Sequence, residues 1–193
     1  MASERLLKVV RDFSKLAEDS NLSEPQILER TSELMKYLVE KDDWITDELT
    51  KSHPEFYQQH LIYGDPLDRF SLVSFVWGPG QKTPVHNHTV WGVIGMLRGS
   101  EVEQSFRMTE EGSLVKVGDL VRLDPGDVAC VSPTIGDIHE VKNAYDDRDS
   151  ISIHLYGGNI GRIRRSVYDL TDGQEKEFIS GYSNRVTPNL WAK

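Results

Sequence analysis

A series of short strand-like segments between residues 70 and 156 restricts the possible folds of this chain more than any other feature. Each segment is four to eight residues long and rich in apolar residues, as expected of strands that pack on one another. Turn residues separate the segments, as in Gly78–Gly80, Arg98–Ser100 and Asp124–Asp127. This pattern favours a small barrel or jelly roll. The predicted strands are Phe70–Trp77, Val90–Leu97, Glu101–Met108, Leu120–Leu123, Val128–Val131, His139–Lys142 and Ser150–Tyr156.

The first fifty residues have a helical pattern instead. Apolar residues recur at helical spacing from Leu6 to Leu16, which predicts an amphipathic helix. Ser23 comes two residues before Pro25, and this pairing predicts a second helix with Ser23 as its N-cap. Asp42–Trp44 is predicted to open a third, shorter helix.

The length of 193 residues suits one domain with a substantial core. We therefore predict a single domain over residues 1–193. Its helical part covers residues 1–50 and its barrel residues 55–160. A C-terminal segment, 161–193, is expected to pack back onto the barrel through Pro188–Trp191.

Composition and charge exclude several classes of protein. A formal net charge of −9 argues against a nucleic-acid partner. No apolar run is long enough to cross a bilayer, and the N-terminus does not read as a secretory signal. A lone cysteine, Cys130, excludes an internal disulfide. These features predict a cytoplasmic protein that uses neither a membrane nor a nucleic acid, and they leave its oligomeric state open.

Two histidines, His86 and His88, lie two residues apart after a strand-like segment. In an extended chain such residues point to the same side, so both imidazoles could bind one metal ion. Chance often supplies such a pair, and histidines that bind no metal are the alternative. A third candidate ligand, His139, completes a mononuclear site if the three converge. No carboxylate stands near the pair as a fourth ligand.

A second polar pattern lies within the predicted strand Ser150–Tyr156, where Ser152, His154 and Tyr156 share one face. From periodicity alone, this face could belong to an ordinary half-exposed strand. Serine, histidine and tyrosine in this order can also form a hydrogen-bond relay. If the relay points into a barrel, it brings a phenolic hydroxyl close to the metal.

Two motifs around the histidines resemble those of the cupin family. In the first, a glycine precedes His-x-His by five intervening residues and another glycine follows. The second contains proline, glycine, histidine and then asparagine. The chain departs from this pattern at Gly92, where glutamate is usual, and by one extra residue between Pro133 and Gly136. The resemblance implies a mainly β jelly-roll barrel with N-terminal α-helices packed outside. The matching residues are Gly80, His86, His88, Gly99, Pro133, Gly136, His139 and Asn143.

Because a Ser-x-His-x-Tyr strand accompanies three histidines, the chain resembles the thiol dioxygenases, the family of cysteine dioxygenase and 3-mercaptopropionate dioxygenase. This resemblance implies that His86, His88 and His139 hold Fe(II). It also implies a small thiol and O2 as reactants, with both oxygen atoms ending on sulfur as a sulfinate. Three residues would then form an outer-sphere catalytic relay, namely Ser152, His154 and Tyr156.

Two positions bear on the choice of thiol. Gln59 stands where cysteine-using members of the family carry an arginine, which resembles the 3-mercaptopropionate branch. A substrate carboxylate still needs a cation, and Arg165 is the candidate by resemblance; a solvated basic turn is the alternative. L-cysteine therefore stays open as the substrate. So does a Zn-binding or non-enzymatic cupin, since three histidines and an open position also suit Zn(II).

The same resemblance makes a prediction about covalent structure. Animal-type cysteine dioxygenases carry a cysteine shortly after His-x-His that cross-links to the relay tyrosine, whereas this chain has Gly92 there. We therefore predict no such cross-link. Cys130 lies in another predicted strand and is expected to be a small buried apolar side chain.

Overall fold

A computed structural model describes residues 4–191 and begins with two helices. Helix α1 spans Glu4–Leu16 and helix α2 spans Glu24–Val39. As predicted, Ser23 is the N-cap of α2, and its backbone N–H donates to Oε1 of Gln26 at 2.9 Å. The apolar stripe of α1 is buried, as expected for a helix that packs against a sheet.

The prediction that a third helix opens at Asp42–Trp44 is wrong. A single 3-10 turn forms later, at Asp47–Leu49. Trp44 is only 2% exposed, and its indole N–H donates to the Leu38 carbonyl at 2.9 Å. The indole therefore packs back on the end of α2 instead of starting a new helix.

Eleven strands follow within residues 4–191. They form two antiparallel sheets, one of five strands in the order β1-β2-β9-β4-β7 and one of six in the order β11-β10-β3-β8-β5-β6. This mainly β, two-sheet arrangement with helices outside confirms the predicted jelly-roll fold. The strands are β1 Gln58–Gly64, β2 Ser71–Trp77, β3 Val85–His86, β4 Gly92–Arg98, β5 Glu101–Met108, β6 Leu114–Leu123, β7 Val128–Val131, β8 Ile138–Asn143, β9 Ser150–Tyr156, β10 Arg165–Tyr168 and β11 Glu175–Phe178.

The helices pack on the outer face of the five-stranded sheet. Helix α2 approaches β4 so closely that a Cβ atom on Gly95 would lie 2.6 Å from Met35 Cγ. Strand β9 lies at the centre of this sheet, between β2 and β4. Its residues Ile151, Ile153 and Leu155 belong to the core cluster beneath the helices, whereas Tyr156 belongs to a second cluster inside the barrel. The two faces of β9 thus belong to two different hydrophobic clusters, one beneath the helices and one inside the barrel.

The chain after β11 returns to β1. The Ser183 N–H donates to the Gln59 carbonyl at 2.8 Å, and the Leu61 N–H donates to Oδ1 of Asn184 at 2.7 Å. Leu190 is 4% exposed within the cluster beneath the helices. The assignment of the whole chain to one domain stays a prediction. No helix within residues 4–191 combines the length and apolar character needed to cross a bilayer.

Candidate metal centre

Three histidines meet inside the barrel. His86 in β3 is the register partner of His139 in β8, and His88 follows two residues after His86. One ring nitrogen from each lies within 4.8 Å of the others, and the ring centroids are 4.8–4.9 Å apart. All three side chains are nearly inaccessible to solvent. This arrangement could hold a single metal ion.

A carboxylate fixes the orientation of His88. Oδ1 of Asp137 lies 3.0 Å from His88 Nδ1, and the same carboxylate accepts from the backbone N–H groups of His88 and Thr89. Because Nδ1 faces an acceptor, it carries the proton, and Nε2 is left free for a metal. Asp137 has no role in the sequence analysis, although its position two residues before His139 could have suggested one.

The other two histidines have acceptors on the same ring nitrogen. Nδ1 of His86 lies 3.1 Å from the Pro84 carbonyl oxygen. Oε1 of Glu103 lies 3.0 Å from Nδ1 of His139, although the two groups are not aligned as a hydrogen bond. All three histidines therefore have Nε2 available for coordination, which is what a three-histidine metal site requires.

The protonation of the cluster also suits a metal. Burial lowers the pKa of His86 well below its usual value, and the charges of His139 and His88 lower it further. Burial likewise lowers the pKa of His88. These imidazoles are therefore neutral near pH 7, and a neutral imidazole is the form that binds metal.

The polar face of β9 lies inside the barrel beside this cluster, so the half-exposed alternative is wrong. Oγ of Ser152 lies 2.8 Å from Nε2 of His154, and Nδ1 of His154 lies 2.8 Å from the Tyr156 hydroxyl. The Tyr156 ring stacks on His88 at a centroid distance of 5.4 Å. Burial lowers the pKa of His154 and raises that of Tyr156, so both groups are uncharged near pH 7.

A buried carboxyl lies at the other end of this relay. Glu101, the first residue of β5, is 2% exposed, and its Oε1 has no hydrogen-bond partner among the described residues. Burial raises the pKa of Glu101 to about 8, against opposing contributions from the neighbouring Ser152 hydroxyl and Trp77 indole N–H. Glu101 is not among the predicted site residues, because charged residues at strand ends usually face solvent.

A cavity of about 150 Å³ opens beside His86. It is much smaller than the roughly 300–1,000 Å³ of pockets for drug-sized ligands, so it suits a ligand of a few non-hydrogen atoms. Both candidate substrate-binding residues line it. The lining residues are Tyr57, Gln59, Phe75, Thr83, Pro84, His86, Arg165, Val167 and Phe178.

Arg165 is the buried member of the basic segment. Its side chain is 4% exposed, whereas Arg162 and Arg164 are exposed and pair with Asp68 and Glu177. Within residues 4–191, no carboxylate lies within ion-pair distance of Arg165. The interpretation as a solvated basic turn therefore holds for its two neighbours and not for Arg165.

The guanidinium of Arg165 is only partly satisfied by the protein. Nη2 donates to Oγ of Ser180 at 2.7 Å, and the guanidinium carbon lies 4.7 Å from the Phe178 ring centroid. Its buried Nε has no hydrogen-bond partner within residues 4–191. Burial lowers the pKa of Arg165, yet the ordinary pKa of a guanidinium is so high that the group stays charged. An unpaired buried cation beside a cavity favours an anionic ligand.

Gln59 lines the same cavity but does not offer its N–H groups to it. Nε2 donates to Oγ of Ser180 at 3.0 Å and to the Gly181 carbonyl at 2.6 Å. Both N–H groups of Gln59 are therefore already used within the protein, and neither is free for a substrate carboxylate. Its role reduces to supplying a neutral wall and an acceptor, Oε1.

Gly92 lies against the relay tyrosine. A Cβ atom at this position would be 3.0 Å from two ring carbons of Tyr156. Cys130 contacts helix α2 instead, with its sulfur 3.2 Å from Oγ of Ser32. It is half-buried, so the expectation of a buried side chain is only partly right. These positions support the prediction that Cys130 forms no cross-link to Tyr156.

Comparison with known proteins identifies the family of this chain. Several solved structures align weakly with the chain. An uncharacterized protein with a double-stranded β-helix domain from Klebsiella pneumoniae has 18% identity and a TM-score of 0.44, covering 62% of this chain and 93% of that one. A cupin superfamily protein from Desulfitobacterium hafniense has 13% identity and a TM-score of 0.44, covering 58% and 86%. The model of the family described as "Cysteine dioxygenase type I" matches residues 26–169. This chain therefore belongs to the cysteine dioxygenase type I family, a thiol dioxygenase family of the cupin superfamily.

Proposed function

We propose that this protein is an Fe(II)-dependent thiol dioxygenase whose preferred substrate is 3-mercaptopropionate. The reaction adds both atoms of O2 to the thiol sulfur and yields a sulfinate. Sulfur loses four electrons and O2 gains four, so no other reductant is needed. The buried, unpaired guanidinium of Arg165 beside His86 is the observation that carries the proposal.

The three histidines would hold Fe(II) through their Nε2 atoms. When bound, Fe(II) favours the thiolate form of a thiol and supplies the redox chemistry by which O2 reacts at sulfur. Asp137 holds the His88 ring in place, so the ligand set is oriented before the metal arrives. The cavity leaves room for one small substrate.

Arg165 would bind the substrate carboxylate. Its Nε has no acceptor in the part of the chain that the structure describes, and a guanidinium bonds a carboxylate strongly. Tyr156 lies beside His88 and keeps its proton, because burial raises its pKa. Its hydroxyl can therefore donate a hydrogen bond to a reacting group at the metal centre.

Charge supports 3-mercaptopropionate over cysteine. The two differ by an α-ammonium group, and none of the residues that line the cavity carries a carboxylate to receive it. An ammonium buried beside Arg165 would lie next to a like charge, which is costly in a low dielectric. L-cysteine stays the second candidate because Oε1 of Gln59 could accept a hydrogen bond from its ammonium.

The test is an oxygen-electrode assay of the Fe(II)-loaded protein with 3-mercaptopropionate, cysteine, cysteamine and homocysteine, with the sulfinate identified by mass spectrometry. The highest kcat/KM is expected for 3-mercaptopropionate. No O2 uptake with any thiol would refute the proposal and favour a Zn-binding or non-enzymatic cupin. Metal analysis of protein purified without added metal would separate iron from zinc.

A matched pair of variants tests Arg165. The loss of a charged hydrogen bond of about 1.5–3 kcal/mol should raise KM for 3-mercaptopropionate by roughly 10- to 150-fold in Arg165→Met. Cysteamine lacks a carboxylate, so its turnover should change little. Arg164→Met removes the exposed neighbouring charge and should leave both substrates unaffected. Equal losses for the two substrates in Arg165→Met would contradict carboxylate binding.

A cytoplasmic location stays a prediction that the free Cys130 thiol supports.

A further inference from the structure

The relay on β9 continues beyond Ser152 to a buried acid. Glu101 lies near the Ser152 hydroxyl and the Trp77 indole, and both neighbours lower its pKa. Trp77 Nε1–H also donates to Oγ of Ser152 at 3.3 Å. The Oε1 atom of Glu101 has no partner and is closed off from solvent. A buried carboxyl oxygen without a partner is costly, so its position at the end of a hydrogen-bond chain calls for an explanation.

The hydrogen bonds of Ser152 restrict how protons are arranged. A serine hydroxyl donates one hydrogen and accepts at most two. Trp77 can only donate, so it occupies one acceptor site on Oγ. If Glu101 bonds to the neighbouring Ser152 hydroxyl, it and His154 share the one donor and the one acceptor that remain. Whichever of them accepts from Ser152, the other must donate to it.

Two arrangements satisfy this condition. When Glu101 carries a proton, it donates to Ser152, and Ser152 donates to Nε2 of His154. The His154 proton then lies on Nδ1 and points at the Tyr156 oxygen, which frees the phenolic hydrogen. When Glu101 is ionised, Ser152 donates to Glu101, and His154 carries its proton on Nε2. Tyr156 then donates back to Nδ1 of His154.

We propose that Glu101 is a positioning residue of the relay, whose protonation selects the tautomer of His154 and thereby directs the Tyr156 hydrogen toward the metal centre or away from it. The relay would thus have four members, Glu101–Ser152–His154–Tyr156. The switch moves each proton one step along this chain: from Glu101 to Ser152, from Ser152 to Nε2 of His154, and from Nδ1 of His154 to Tyr156. The original Tyr156 hydrogen leaves at the metal-centre side, so one proton is released overall.

The surroundings of Glu101 make this switch accessible near neutral pH. Burial raises its pKa to about 8. Glu103 on the same strand is the charged group that acts on it, and it raises the pKa further. The facing residues of the other elements carry no charge: Trp77 on β2, Leu123 on β6, Asn143 on β8 and Ser152 on β9.

The tautomer of His154 is directly measurable. Nitrogen-15 NMR of the Zn(II)-loaded, 15N-histidine-labelled protein distinguishes a proton on Nδ1 from one on Nε2. In the parent protein, the proton should lie on Nδ1 below pH about 8 and move to Nε2 above it. Glu101→Gln donates through its amide at every pH, so it should keep the proton on Nδ1 throughout. Glu140→Gln, a matched change on β8 outside the relay, should titrate like the parent.

One result would overturn the proposal: a His154 tautomer that stays the same from about pH 6 to about pH 10 in the parent. The parent titration decides this even if Glu101→Gln does not fold. A tautomer change that persists unaltered in folded Glu101→Gln would equally assign the switch to another group.

A kinetic consequence rests on the proposed function. The kcat for 3-mercaptopropionate should fall above pH about 8 in the parent and stay level in Glu101→Gln. The two hypotheses fail separately. Absence of O2 uptake in the parent would refute the proposed function, whereas the NMR titration would still decide the role of Glu101.

Discussion

Replacement of Glu101 by glutamine should change how the stability of the protein depends on pH. The Glu101 pKa is about 8 in the folded protein against 4.5 for the free side chain. Between these values the folded chain binds more protons than the unfolded chain, so a rising pH favours unfolding. The contribution of Glu101 to stability is therefore complete below pH 4.5, declines up to pH about 8 and is constant above it.

The magnitude follows from the same interval. Each pH unit in it costs about 1.4 kcal/mol of unfolding free energy, and the whole interval costs about 5 kcal/mol. This value is a ceiling, because relaxation and water entry reduce the penalty for a buried charge. The glutamine of Glu101→Gln cannot ionise, so this variant should not show the loss of unfolding free energy as the pH rises.

Urea unfolding at pH 5, 6.5 and 8 measures this effect, with parent and variant carrying the same Zn(II) content. Both proteins contain the same histidines, so the pH dependence of the metal site cancels in the difference. The unfolding free energy of Glu101→Gln minus that of the parent should increase by several kcal/mol between pH 5 and pH 8. Glu140→Gln, which is partly exposed, should run parallel to the parent. Parallel profiles for the parent and Glu101→Gln would refute a buried acid with a raised pKa.

Three further changes test the centre. His86→Ala should abolish iron binding in metal analysis, whereas His53→Ala, outside the histidine cluster, should bind iron like the parent; retained stoichiometric iron in His86→Ala would contradict the ligand set. Tyr156→Phe should keep iron but lower kcat by at least roughly tenfold, and turnover at the parent rate would exclude the relay. Gly92→Ala places a methyl group 3.0 Å from the Tyr156 ring, so it should cost about 1–3 kcal/mol in urea unfolding and slow turnover with iron still bound. An unchanged kcat would mean that the Tyr156 ring can move without consequence.

Periodicity predicted the central strands well because their side chains alternate or are wholly apolar. Glu101–Met108, Val128–Val131 and Ser150–Tyr156 were predicted with the bounds that the structure has. Strands β1, β3, β10 and β11 were not predicted. Strand β3 is two residues long, and β11 is Glu175–Phe178, mostly charged. Such strands form because partners from distant parts of the chain pair with them, and a local pattern cannot report that pairing.

The site divides in the same way. The histidines and the relay were predictable because their spacing alone puts them on shared faces. The carboxylates Glu103 and Glu101 were not predictable, and Asp137 was marked only by its position two residues before His139. Their contacts depend on the register of β3 and β5 with β8, on the packing of the two sheets and on the direction in which each side chain points. Carboxylates are common in this acidic chain, so composition gave no reason to single out these three.

Strand β9 has one further consequence. Its relay residues and its core residues alternate along the same seven positions, all of them buried. A slip of one residue would exchange the two sets, so hydrophobic packing against α1 and α2 also fixes the spacing of the proton relay. The helices pack on the face of β9 opposite the relay, yet any loosening of them would also loosen the backbone that positions Tyr156. The geometry of the relay therefore depends on packing outside the barrel.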